Sequence, residues 1–157
     1  MSSEEREHLR QQLIEHEGER LTVYRCTAGY LTIGVGRNLE TTGISKAESR
    51  YLLDGDIARC INECAAEFPW LDDLDPVRQR VIVDMAFQMG LAGLRKFRTT
   101  LKYIEARQYG LAADAMLLSK WAQQTPGRAY KLSNWMRTGR ATLTATSSRT
   151  TRSPAMG

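Results

Sequence analysis

The periodicity of the chain changes abruptly at Gly18, and that change restricts it to folds that join helix to antiparallel strand. Ahead of Gly18, Leu9, Leu13 and Ile14 recur at helical spacing behind Ser2-x-x-Glu5, a capping-box pattern. Glu17 falls at i+4 from Leu13, so a carboxylate ends the stripe that seeks a core, and Gly18 supplies the stop. Behind it, residues 20–36 alternate with a period of two. Leu21, Val23 and Arg25 share one face and Thr22, Tyr24 and Cys26 the other; after an Ala28-Gly29 turn, Leu31, Ile33 and Val35 oppose Thr32, Gly34 and Gly36. This pattern predicts a hairpin with Cys26 on its first strand and Thr32 on its second. The glycine face leaves room for another group to approach, at a bulge or a bend.

Beyond the hairpin the pattern is helical. Ser45-Lys46-Ala47-Glu48 is a second capping box, opening a helix whose Leu53, Ile57, Cys60, Ile61, Cys64 and Phe68 continue to about Glu67, with Pro69 ending it. Asp75-Pro76 places a cap before a proline at the first helical position, ahead of Val77, Ile82, Met85 and Phe87. Further helical stretches fall near 93–106, 109–119 and 126–138. From Ala141 onward the large apolar residues disappear apart from Leu143 and Met156, so 141–157 reads as an exposed, basic, Ser/Thr-rich tail.

A chain of 157 residues with 42% hydrophobic and 25% charged residues can bury one sizeable core, and a single folded unit is expected. No apolar run approaches the ~20 residues of a membrane span, and the acidic start lacks the pattern of a signal peptide, so synthesis in the cytoplasm is expected. The net charge of +4 is unevenly placed. Residues 91–157 carry twelve Lys/Arg against Glu105 and Asp114, a balance of +10, which leaves −6 for residues 1–90. A basic C-terminal half favours an anionic polymer as partner, such as teichoic acid, lipopolysaccharide or peptidoglycan. The acidic N-terminal half repels a nucleic-acid backbone, and no base-reading motif is present, so no nucleic-acid partner is expected.

Cysteine numbers three, an odd count that argues against a disulfide framework. Cys60 and Cys64 stand in step with apolar neighbours and lack a histidine at ligand spacing, so they read as small buried hydrophobes rather than metal ligands. Cys26 differs because its neighbours are reactive. Glu17, Cys26 and Thr32 form a trio of a carboxylate, a thiol and a hydroxyl.

Several motifs along the chain carry a family pattern. Glu17-Gly18, Tyr24, Thr27, Gly29-Tyr30-Leu31-Thr32-Ile33-Gly34-Val35-Gly36, Val77-Arg78, Phe87-Gln88-Met89-Gly90 and Trp121-Ala122-x-Gln124-Thr125-Pro126-x-Arg128-Ala129 resemble, in order, the T4-type phage lysozymes. The resemblance runs from about residue 9 to Gly139. It implies an α+β, lysozyme-like fold over 1–140: a small lobe over about 1–44, a connecting helix over about 45–67 and a helical lobe over about 70–140. It also implies an endolysin, a muramidase that hydrolyses the β-1,4 bond between N-acetylmuramic acid and N-acetylglucosamine. Members of the family use a Glu-Asp-Thr trio with eight and then five residues between its members. Here the intervals Glu17 to Cys26 and Cys26 to Thr32 match, so Cys26 occupies the aspartate position. Some phage endolysins carry Cys there.

The chemistry such a trio must perform is definite. Cleaving a glycosidic bond at neutral pH needs an acid that keeps its proton, and burial of Glu17 would favour one. A second group must activate water on the opposite sugar face, and a thiolate at Cys26, favoured by a cation such as Arg25, fits that role. Thr32 positions the water. By the family pattern, Arg128 pairs with Glu17, while Phe87 and Thr100 touch the sugar. The histidine that often follows the glycine segment is Arg37 here, which puts an ion pair built on that histidine in doubt. The resemblance implies no cofactor or metal, a monomer, and a holin for passage from the host cytoplasm to the wall in the periplasm. A lytic transglycosylase, needing only the acid, and a non-catalytic peptidoglycan-binding protein are the alternatives.

Overall fold

The computed structural model describes residues 1–142, so all but the first two residues of the expected tail lie outside the described residues. The fold is α+β: a three-stranded antiparallel sheet and, among the described residues, seven α-helices. The chain divides into two compact units, Met1–Asp54 and one beginning at Gly55.

In the first unit, α1 spans Ser3–Glu17. The Ser2 hydroxyl accepts from the Glu5 amide at 3.1 Å, and Gly18, at φ 72°, donates to the Ile14 carbonyl and ends the helix. The apolar stripe is not buried: Leu9 and Leu13 are 39% and 44% exposed. Three apolar residues in a helix rich in Glu, Arg and Gln give the stripe too little area to exclude water along its length.

The sheet consists of β1 (Arg20–Arg25), β2 (Leu31–Gly34) and β3 (Arg37–Asn38), in that order. Tyr24 pairs with Thr32 and Arg25 with Leu31, but Arg20 pairs with Gly34, so four steps on β1 face two on β2. A bulge therefore breaks the regular alternation expected for 20–36. The expected second strand is also cut short. Gly34 and Gly36 both adopt positive φ, 65° and 68°, and Gly34-Val35-Gly36 turns the chain into β3.

Helix α2 spans Lys46–Glu67 and opens with a complete capping box. The Glu48 amide donates to Ser45 Oγ at 3.2 Å while the Ser45 amide donates to Glu48 Oε2 at 2.7 Å. Glu48 also accepts from Arg37 at 2.7 Å, so the arginine standing where the family often has histidine forms an ion pair with the cap of α2. The Ser45 backbone and side chain, and then Arg37, hold the Glu48 carboxyl below its ordinary value against a desolvation that opposes them. Only part of the apolar stripe of α2 is covered. Cys60, Cys64 and Phe68 are buried, whereas Ile57 and Ile61 are exposed. Burial, with the neighbouring Cys60 and Glu63, pushes the Cys64 thiol up to about 11, which makes it inert.

The second unit holds the main core. Helix α3 (Pro76–Leu94) starts at Asp75, whose carboxylate accepts from the Val77 and Arg78 amides at 3.1 Å, and kinks at Gly90, φ 72°. Helices α4 (Arg98–Glu105), α5 (Tyr109–Leu117), α6 (Lys120–Gln124) and α7 (Pro126–Thr138) follow. Helix α6 is a separate five-residue turn that periodicity did not predict, started by Ser119, whose hydroxyl accepts from the Ala122 amide. Val81, Ile82, Met85, Leu94, Ile104, Met116, Leu132 and Met136 are the apolar centre. At about 1.5–3 kcal/mol per large side chain, their burial is the principal stabilising term in this unit.

Candidate active site

The site is assembled on the hairpin and the end of α1. Cys26 lies just beyond β1 rather than within it, and its backbone closes the turn. Its amide donates to the Tyr30 carbonyl at 3.0 Å, and its carbonyl accepts from the Gly29 amide at 2.8 Å. This doubling back folds the 28–30 backbone around the half-buried sulfur. The Tyr30 amide is the main group that holds the thiol below its ordinary value; partial burial opposes it, and the Ala28 amide, the Thr32 hydroxyl and the Gly29 amide add to it. Consecutive backbone N–H groups in a turn favour an anion, and here they favour the ionised form of the chain's own Cys26 thiol. Arg25, expected to act as a nearby cation, instead donates from its guanidinium to the Gly29 carbonyl at 2.8 Å.

Thr32 sits on β2 opposite Tyr24 and is 3% exposed, the only buried residue in Met1–Asp54. Its hydroxyl donates to the Tyr30 carbonyl at 2.9 Å and lies within hydrogen-bonding reach of the Cys26 sulfur. A hydroxyl carries one proton and two lone pairs. That proton can go to the Tyr30 carbonyl or to Cys26 Sγ, and a charged sulfur competes for it better than a neutral one.

Glu17 is exposed, not buried as its place on the apolar stripe suggested, because that stripe itself faces solvent. Its carboxylate has a defined neighbour in the glycine turn. A Cβ built on Gly36 would lie 3.3 Å from Glu17 Oε2, 3.7 Å from Cδ and 3.8 Å from Cγ. The carboxylate thus lies against the side of Gly36 from which a side chain would project. At Gly34 the same construction meets nothing within 4 Å.

The remaining residues singled out in the sequence lie in the second unit. Arg128, on α7, is engaged by Asp84 of α3: Nε donates to Oδ1 at 2.8 Å and Nη2 approaches Oδ1 at 2.7 Å. Periodicity gave no sign of that partner, since Asp84 is a lone acid among apolar residues of α3. Phe87, on α3, is 43% exposed. Next to it, Gln88 accepts from Trp121 Nε1 at 2.8 Å, which joins two of the family motifs in one contact. Thr100, on α4, is 3% exposed and lines an open cavity of about 650 Å³ with Lys96, Arg98, Lys120 and Trp121. Two features escaped the sequence reading, the turn amides of residues 28–30 and the seat of Glu17 on Gly36. The Ala28-Gly29 turn directly after Cys26 was the available signal for the first.

A small bulged hairpin with an acid at its helix end and a thiol and hydroxyl at its turn, joined in one chain to a helical unit, is an α+β arrangement of lysozyme type. Comparison with known proteins places it more narrowly. The sequence profile described as phage lysozyme matches residues 14–141. The chain is 31% identical over 153 residues to "Probable T4-type lysozyme 1" of Dictyostelium discoideum, covering 78% of this chain and 89% of that protein. It is 33% identical over 151 residues to "Pre-baseplate central spike protein Gp5" of Enterobacteria phage T4, covering 78% of this chain but 26% of that protein. With "Endolysin" of Salmonella phage P22 it shares 28% over 123 residues, covering 73% and 82%. The chain belongs to the phage lysozyme family.

Proposed function

We propose that the protein is an endolysin, a muramidase that hydrolyses the β-1,4 bond between N-acetylmuramic acid and N-acetylglucosamine in peptidoglycan and so lyses the bacterial host. The observation that carries this reading is the 26–30 turn closed on Cys26 by its own backbone, with the Thr32 hydroxyl bonded to the Tyr30 carbonyl of the same turn. Glu17 protonates the leaving glycosidic oxygen. Cys26, as thiolate, takes a proton from the attacking water, and Thr32 orients that water through its lone pair. Phe87 and Thr100 contact the saccharide, and Arg128, held by Asp84, supports the helical side.

The protein acts as a monomer, leaves the host cytoplasm through a holin, and works on the wall in the periplasm. Lys96, Arg98 and Lys120 around the Thr100 cavity suit acidic groups of the envelope. The decisive experiment is clearing of a cell-wall suspension by wild type, Glu17→Gln, Cys26→Ser and Cys26→Asp, with product analysis. The expected result is loss in Glu17→Gln, strong loss in Cys26→Ser, retention in Cys26→Asp and reducing-end muramic acid as product. Full activity in Glu17→Gln overturns the assignment, and anhydromuramoyl ends would identify a transglycosylase instead. Wall binding without clearing would identify a non-catalytic protein.

A further inference from the structure

We propose that Arg25 is a positioning residue for Cys26, acting as a clamp that fixes the peptide plane between Gly29 and Tyr30 so that its N–H points at the sulfur. The inference rests on the reading of Cys26 as the water-activating group, but the clamp itself is a matter of geometry. In a trans peptide the carbonyl of one residue and the amide of the next point in opposite directions. The Gly29 carbonyl accepts from Arg25 Nη1 at 2.8 Å, so the same bond that holds this oxygen outward turns the Tyr30 amide inward. The Tyr30 amide is also the main group that holds the Cys26 thiol below its ordinary value.

The plane needs holding. Gly29 has φ 87°, in the region open to glycine, and the absence of a Cβ lets its flanking peptides rotate at little steric cost. A Cβ built there meets nothing within 4 Å, so packing does not fix it. The backbone bonds that close the turn use the Cys26 amide, the Cys26 carbonyl, the Gly29 amide and the Tyr30 carbonyl. Neither engages the Gly29 carbonyl, and the Arg25 guanidinium does. Arg25 is well placed for this, since it is the last residue of β1 and pairs with Leu31 across the turn.

Within Met1–Asp54, the ionisable groups on or beside the turn include Tyr30, which is exposed, Tyr24, which stands opposite Thr32 with the Arg20 guanidinium over its ring, and Glu40, which accepts from the Leu31 amide at 3.2 Å. Glu40 is an anion and cannot favour a thiolate by its charge. An Arg25 acting through charge alone is the rival explanation, and salt separates the two. At 1 M salt the screening length falls to about 3 Å, which removes a Coulombic effect at an exposed guanidinium but leaves an oriented peptide in place.

The test is the pH profile of iodoacetamide alkylation in folded wild type, Arg25→Met and Gly29→Ala, at 0.1 M and 1 M salt. Cys60 and Cys64 are buried in the folded protein, so the reaction reports Cys26. Both variants are expected to shift the profile to higher pH and to slow alkylation at pH 7 about threefold, at either salt concentration, through a smaller thiolate fraction. An unchanged profile in Arg25→Met overturns the proposal, as does a shift that vanishes at 1 M salt. Gly29→Ala keeps the question open to a result should Arg25→Met fold poorly. None of these readings depends on cell-wall hydrolysis, so an inactive wild type would sink the muramidase reading and leave the clamp to be judged by itself.

Discussion

Replacing Gly36 by alanine tests the placement of Glu17 more directly than removing the carboxylate, because Gly34 provides a matched control two residues away. Both glycines have positive φ, 68° and 65°, so alanine at either position pays a similar backbone strain of roughly 1–2 kcal/mol. A less flexible unfolded chain returns about 0.4–1 kcal/mol of that, leaving a net loss near 1 kcal/mol for each. For a domain of this size the melting temperature should fall by about 2–4 °C in both variants. The two part company at the carboxylate. The new Cβ at position 36 stands 3.3 Å from Glu17 Oε2, so the carboxylate must give way by a few tenths of an ångström, whereas at position 34 there is nothing within 4 Å. Since a misplacement of ~1 Å can cost a hundredfold in rate, a displacement of this size should cost roughly three- to tenfold. Initial clearing rates of a peptidoglycan suspension, corrected for the folded fraction, measure the difference. Gly36→Ala should lose that factor and Gly34→Ala should keep nearly full activity. Equal losses in the two variants, or full activity in Gly36→Ala, would show that the carboxylate does not work from its seat on Gly36.

Thr32→Val removes a hydroxyl donor from the thiolate, so the Cys26 thiol should rise from its depressed value and the acidic limb of the clearing rate should move to higher pH; an unmoved limb would remove Thr32 from the environment of the sulfur. Arg78→Met should be a stability variant. It deletes bonds to the Met136 and Arg137 carbonyls at 2.7 and 2.9 Å and to Asp75 at 2.8 Å, and a stack 3.7 Å over the Tyr109 ring. A loss of ~2–3 kcal/mol, seen as a melting temperature lower by about 5–10 °C with no change in rate per folded molecule, is expected. Finally, Asp84→Asn and Arg128→Met should lower activity alike if Arg128 works through its hold on Asp84, and a loss confined to Arg128→Met would assign the arginine a direct role.

The legibility of this fold follows from where the physics is local. Capping is local, and Ser2, Ser45 and Asp75 each cap the helix that their spacing announced, because the partner amides lie two or three residues away in sequence. Glycine stops are local too, as at Gly18. The β1–β2 bulge was not legible, since the alternation of residues 20–36 is equally consistent with a regular ladder, and Gly34-x-Gly36 can mark either a bulge or a bend. Burial was read least well. A helical stripe states which face is apolar, not how much apolar surface arrives to cover it, and Leu9, Leu13, Ile57 and Ile61 remain exposed. At the candidate site, spacing singled out the side chains of Glu17, Cys26 and Thr32 as candidates. It gave no sign of the amides around the thiol, because backbone donors carry no sequence identity, and the glycine face announced room at Gly36 without naming Glu17 as the group beside it.

That last point bears on how the sulfur of Cys26 would serve as the proposed water-activating group at a position where the sequence resemblance implies a carboxylate. Had the second catalytic group depended on a side-chain cation, exchanging aspartate for cysteine would require a compensating substitution, since a thiolate is larger and accepts less sharply directed hydrogen bonds. Around Cys26 the stabilising groups are instead the amides of Ala28, Gly29 and Tyr30 and the Thr32 hydroxyl. Main-chain donors of a turn can serve either anion, with small changes in dihedral angle at Gly29 to suit its radius. The same site should therefore accept Cys26→Asp with the hydrogen bonds of its turn kept, and the acidic limb of its rate should move well below that of the wild type, because a carboxylate ionises several pH units below a thiol. A Cys26→Asp protein that folds and binds wall material but works only over the wild-type pH range would mean that the limb belongs to another group. The proton bookkeeping assigned to the sulfur would then have to be given up.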